Sequence, residues 1–193
     1  MTYVLLAALI IFVFWLVSVY NFFVSTKTRV GAAIQEIGNQ LKRQSELIPN
    51  LEASVKGYLK HEKGIFDELS GARKEIASAV DSGDINKMSD AGKVIGDMLP
   101  KMQVVVESNP EIKGNDVVKG LMDELRDTSD KIMFSRRLLI DLTADYNVKR
   151  VTFPSNLVAK MFRFEKLKGL ETSEDDLSLK VSSEDTKTPK ISL

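Results

Sequence analysis

The chain has 193 residues, and its 27 basic side chains are matched by 27 acidic ones, so it lacks the cationic surplus with which nucleic-acid binders displace counterions from phosphate. With no cysteine and a single histidine, disulfide frameworks, thiolate zinc sites, cysteine nucleophiles and multi-histidine metal centres are excluded. Five prolines and 11 glycines suit long helices.

Charge is unevenly placed along the chain. No charged side chain occurs from Met1 to Thr26, where Tyr3, Phe12, Phe14, Trp15, Tyr20, Phe22 and Phe23 crowd together. From Tyr3 to Val24 only Ser18 and Asn21 are clearly polar. As a helix this stretch is roughly 33 Å long, enough for a hydrocarbon core of about 30 Å. It predicts a transmembrane anchor over 1–26, with Tyr3, Leu9, Phe12, Trp15 and Val24 as membrane-spanning positions. A cleaved signal peptide would need a basic start and small residues before the cut. Here nothing basic precedes the span and large aromatics fill its end, so the anchor is expected to stay uncleaved. Lys27, Arg29, Lys42 and Arg43 follow the span against one acid, Glu36. The positive-inside rule then predicts a single pass through the cell inner (plasma) membrane, N-terminus out and C-terminal domain cytoplasmic. The juxtamembrane basic residues Lys27 and Arg29 can also touch anionic headgroups.

Beyond Thr26 apolar residues recur at alternating spacings of four and three. One set is Ile34, Leu41, Ile48, Val55, Leu69 and Ile76; the other is Val30, Ile37, Leu51, Tyr58, Ile65, Ala72 and Ala79. This is the seam of a helix packed in a left-handed bundle. Pro49 sits within it, where proline usually kinks or ends a helix, yet the phase is the same on both sides. The pattern predicts one long kinked helix from Val30 to about Ala79. A second helix is predicted from an N-cap at Asp84 to Glu107, with Ile85, Met88, Gly92, Ile95, Leu99, Met102 and Val106 inward. The turn around Pro110 and the Gly114-Asn115 pair end it. A third runs from Asp116 to Thr152 on Val118, Leu121, Leu125, Thr128, Ile132, Ser135, Leu139, Leu142 and Tyr146, and Phe153-Pro154 stops it. A short amphipathic piece, Asn156 to Glu165, is expected to cap the bundle. The predicted class is all-α: an N-terminal transmembrane helix followed by an elongated antiparallel helical bundle with coiled-coil-like heptads over 27–167. A polar tail over 168–193 is too poor in apolar residues to order itself.

Few residues offer chemistry. Gln44 and Glu62 are polar positions in the seam, with His61 beside Glu62. Glu62 is the one residue on which a proton-transfer or ligand-capture role could rest. Its plainer reading is a paired group at a helix end, since neighbours on a helix point about 100° apart. Gly57, Gly64 and Gly71 are spaced by seven, as are Gly31 and Gly38. On one helical stripe they allow another helix to approach closely, either an internal neighbour or a second molecule. The chain has no phosphate-cradling glycine loop, no G-x-S-x-G and no H-E-x-x-H motif. No catalytic, cofactor or metal residue is therefore expected, and the chain is not expected to be an enzyme.

The segments Tyr20-Asn21, Asn39-Gln40-Leu41-Lys42-Arg43, Leu47-Ile48-Pro49-Asn50-Leu51, Val55-Lys56-Gly57-Tyr58 and His61-Glu62 together resemble the signature of the bacterial LemA family. So do Asn109-Pro110-Glu111-Ile112-Lys113, Arg136, Tyr146-Asn147 and Phe153-Pro154-Ser155-Asn156-Leu157-Val158-Ala159. The resemblance covers about Tyr20 to Glu165. The chain departs from it at Ile34, where a tryptophan is usual nearby, at Lys27-Thr28 and at Asn109-Pro110. The resemblance implies an N-terminal membrane anchor and a helical body of poorly defined biochemical role. It carries no catalytic residues across, and it moves the L-I-P-N-L and His61-Glu62 segments toward structural roles. The expected function is that of a membrane-anchored scaffold or protein-interaction module, with a signalling relay as the alternative. Its expected partners are the lipid bilayer, an unidentified protein and a second copy of the chain, but no nucleic acid.

Overall fold

A computed structural model describes residues 1–56 and 63–170, and all regular structure among them is helical. α1 (Thr2–Val55) is a single helix of 54 residues that passes through Pro49. α2 (Lys63–Ser82) and α3 (Ile85–Ser108) follow, then the single turn α4 (Pro110–Lys113), the long α5 (Asp116–Val151) and the short α6 (Ser155–Met161). Local chemistry fixes several of these ends. The Asp84 carboxylate accepts from the backbone N–H groups of Asn86 and Lys87 at 2.8 and 3.3 Å. Asn115 does the same for Val117 and Val118 at 3.0 and 3.3 Å. Each satisfies donors that the first turn of a helix leaves open. Gly83, at φ +62°, makes the tight turn between α2 and α3 in a conformation costly for residues with a Cβ.

The expected single helix from Val30 to Ala79 is instead two. α1 ends at Val55 with Lys56 as its cap, and α2 folds back against it. The phase of the seam gave no warning because both arms of the hairpin bury the same register: Ile37, Leu41, Ile48 and Leu51 on one arm, Leu69, Ala72, Ile76 and Ala79 on the other. Pro49 is tolerated because it is only half-buried and sits off the seam, between the buried Ile48 and Leu51.

α1 packs most extensively against α5. Arg43 meets Glu124, Gln44 meets Ser129 and Phe23 meets Tyr146 across this pair. The two helices are thus antiparallel, and facing residues have numbers that add to roughly 170. α3 runs antiparallel to α5, with Gly92 facing Ile132 and Gln103 facing Arg126. Lys101 of α3 reaches Glu68 of α2 at 3.2 Å. The four long helices form an up-and-down bundle whose core includes Leu41, Ile48, Leu69, Ile76, Ile95, Leu125, Ile132 and Leu139. The buried face of α3 also takes in Ala91 and Met98, which a single seven-residue stripe does not reveal.

Met88, near the start of α3, lies 3.8 Å from the position a Cβ on Gly38 would take. From that level toward the N-terminus, α1 and α5 continue together as a narrower neck. A second cluster closes its far end, built from Val19, Phe23, Tyr146, Val158 and Ala159. The piece expected as a helix from Asn156 to Glu165 is helical only over Ser155–Met161, after which the chain turns back along α5. Asn147 clamps this return: its amide donates to Leu167 O at 2.9 Å and its oxygen accepts from Leu167 N at 3.0 Å. Packing continues past the expected end of the bundle, with Leu170 against the core and Gly169 against Thr143. The rest of the expected tail, 171–193, lies outside the described residues.

Candidate functional site

The membrane-spanning positions read from the sequence divide into two groups. Tyr3, Leu9, Phe12 and Val24 are exposed, as are nearly all large apolar side chains before Trp15. This part of α1 is long and apolar enough to cross a membrane. Trp15 is half-buried because it joins the cluster around Phe23. Lys27 and Arg29 are exposed on the neck. α1 passes between the two groups without a break, so the expected boundary after residue 26 is not a joint.

Of the polar and glycine positions singled out, Glu62 and Gly57 lie outside the described residues, as does His61. Gly64 and Gly71 are exposed on α2, and a Cβ on either would meet nothing within 4 Å among the described residues. Gly31 is equally open. Among the described residues these three have no internal neighbour, whereas Gly38 does, with Met88 Sδ 3.8 Å from the place of a Cβ. The close approach occurs at Gly92 instead, where a Cβ would stand 2.7 Å from Ile132 Cγ2. Gln44 is fully buried and donates through Nε2 to Ser129 Oγ at 2.9 Å, while its Oε1 has no partner among the described residues. Thr128, also buried, donates to Leu125 O at 2.8 Å. This is a small polar layer between α1 and α5. Among the described residues no group of three His, Asp or Glu side chains is placed to hold a metal ion.

Two surfaces stand out. The first is the end of the neck, where aromatic rings interlock. Phe23 stacks on Phe164 at 4.8 Å and meets Tyr146 edge-on at 5.2 Å, while Tyr20 meets Phe162 at 4.8 Å. Lys149 Nζ lies 4.2 Å above the Phe22 ring, a favourable cation–π distance. Ser155 Oγ donates within the turn that joins α5 to α6, lying 2.6 Å from Lys149 O and 2.9 Å from Thr152 O. Burial raises the Tyr146 hydroxyl above the ordinary tyrosine range; Arg150 pulls it back and Glu165 adds to the rise. The second surface is a groove between α1 and α5 on the neck, floored by Ala32, Ala33, Ser135 and Leu138 and flanked by Arg29, Glu36, Asp130 and Lys131. Phe134 lines it and is 68% exposed. Phe134 lies off the seven-residue seam, so periodicity alone does not reveal this groove. An unpaired aromatic beside the seam residue Ser135 was the available signal.

The family model for the LemA family matches residues 33–182. Magnetosome protein MamQ of Magnetospirillum gryphiswaldense is 25% identical over 183 residues, covering 83% of this chain and 67% of the relative. Magnetosome protein MamQ 2 of Paramagnetospirillum magneticum is 24% identical, covering 82% and 67%. Together with the apolar part of α1, these likenesses describe a membrane-associated helical protein.

Proposed function

Since this chain belongs to the LemA family, we propose that it is a single-pass protein of the inner membrane whose anchor presents the bundle in the cytoplasm as a scaffold for a protein partner. The observation that carries this reading is the continuity of α1. One helix supplies both the exposed apolar segment and core residues as far as Val55, so the bundle is held rigidly to its anchor. A flexible linker would let the domain tumble, whereas an unbroken helix fixes which faces are open beside the bilayer. The groove at Phe134 is the face offered, and its role is binding rather than catalysis.

Alkaline carbonate should leave the protein in vesicles, and release into the supernatant would refute the anchor. A fluorescent-protein fusion after Leu193 should glow, whereas an alkaline phosphatase fusion that is active there would reverse the orientation. A photo-crosslinking phenylalanine analogue at Phe134 should give a discrete protein adduct that the same analogue at the exposed Lys119 does not. Lack of an adduct at Phe134 would remove the groove from the proposal.

A further inference from the structure

The charge-free stretch of α1 and the bundle overlap in height. With facing residues on α1 and α5 adding to roughly 170, Val151 at the end of α5 lies level with about residue 19. That is roughly 10 Å back inside the stretch that ends at Thr26, at 1.5 Å per residue. A hydrocarbon core of about 30 Å takes up nearly all of Tyr3 to Val24. The anchor therefore cannot fill the core unless the end of the neck enters the bilayer with it.

The side chains at that end suit such a position. Phe153 is 75% exposed, Leu157 57% and Met161 59%, although the neighbouring Val158 and Ala159 are buried against α1. Exposed apolar side chains next to a membrane span are what an interfacial segment presents. Behind them a cleft is lined by Arg150, Lys160, Arg163 and Lys166, with Glu165 as the single acid against these four bases. Arg150 Nε and Asn156 Oδ1, in the same cleft, are enclosed without a hydrogen-bond partner among the described residues. Basic side chains with an apolar edge match a phosphate layer lying over hydrocarbon.

We propose that the α5–α6 corner is a second membrane-contact site: Phe153, Leu157 and Met161 insert into the hydrocarbon, and Arg150, Lys160 and Arg163 extend outward from it to hold anionic lipid headgroups. This rests on the anchored reading above. It goes further in making the bundle itself part of the membrane contact, which sets the height and tilt of the neck.

The absence of cysteine permits a direct test on the full chain in vesicles of phosphatidylglycerol and phosphatidylcholine. Spin labels go on Ile10→Cys, Phe153→Cys, Leu157→Cys and, at the far end, Lys113→Cys. Collision rates are compared for oxygen, which concentrates in lipid, and a water-soluble nickel chelate. Labels at 10, 153 and 157 should favour oxygen severalfold more than the label at 113. Water-like labels at 153 and 157 beside a lipid-like label at 10 would overturn this inference and leave the anchor intact. A water-like label at 10 would overturn both. Exchanging Arg150, Lys160 and Arg163 for Gln should make the label at 157 shallower in anionic vesicles and change little in pure phosphatidylcholine. Equal depth in both lipids for both proteins would remove the headgroup contact.

Discussion

Gly92 and Gly71 are both mid-helix glycines, yet alanine should act on them in opposite directions. Within a helix, replacing glycine by alanine favours folding by up to about 1 kcal/mol. At Gly71 nothing among the described residues lies within 4 Å of the new methyl group, so this gain should appear undiminished. At Gly92 the methyl would stand 2.7 Å from Ile132 Cγ2, and both residues are buried. Restoring van der Waals contact needs α3 and α5 to part by about 1 Å, and such overpacking costs about 1–3 kcal/mol. The net result for Gly92→Ala is a loss of about 1 kcal/mol, set against a gain of similar size for Gly71→Ala. In a chain of this length that is roughly 2–4 °C of Tm in each direction, measured by circular dichroism at 222 nm on the full chain in one detergent. Ile132→Ala removes the obstructing methyl at a cost of about 2–5 kcal/mol. In that background Gly92→Ala should turn stabilising, a coupling of about 1–3 kcal/mol. If Gly92→Ala raised Tm as much as Gly71→Ala in the otherwise unaltered chain, the close α3–α5 approach would be refuted.

Three further outcomes follow from the same geometry. Gln44→Ala should lower stability by about 2–3 kcal/mol, through a cavity and the lost bond to Ser129, while Gln44→Met should cost under about 1 kcal/mol because it also removes the unpartnered oxygen; chemical denaturation compares them. Asp84→Ala should cost about 1 kcal/mol by uncapping α3, and Asp84→Ser should recover most of it. The Tyr146 proton is held more tightly in the folded chain than in the unfolded one, so its contribution is intact below about pH 10 and is lost as pH rises through the folded value. Denaturation midpoints should therefore fall less steeply above that pH for Tyr146→Phe than for the parent chain.

The helices were legible where local signals and periodicity agreed. Asp84 and the run from Ile85 to Met102 gave α3 its start and most of its buried face, and the pattern from Val118 to Tyr146 gave α5. The connection between α1 and α2 was not legible, because a seven-residue pattern records which face is buried and not whether the chain has reversed. Two arms of a hairpin facing one core can keep the same phase, as Val55 and Leu69 do. Gly57, just beyond the cap at Lys56, was the local cue, since glycine commonly follows a helix end. The outward-facing glycines show the converse limit: spacing by seven put Gly64 and Gly71 on one stripe but did not say what that stripe faces.

The hidden part of the candidate surface has one physical origin. Hydropathy treats the stretch to Thr26 as uniform, but a packed neck divides it. Trp15, Val19 and Phe23 turn toward Tyr146, Val158 and Phe164, and their exposed neighbours face outward. Whether an apolar residue on α1 meets lipid or protein depends on where α5 stops. That is set by Phe153-Pro154, more than a hundred residues away in the chain. Moving that stop should move the membrane boundary on α1 with it. A neck shortened by one turn on both α1 and α5 would keep their register, whereas shortening α5 alone would expose Val19 and Phe23 and leave Phe164 without its stacking partner.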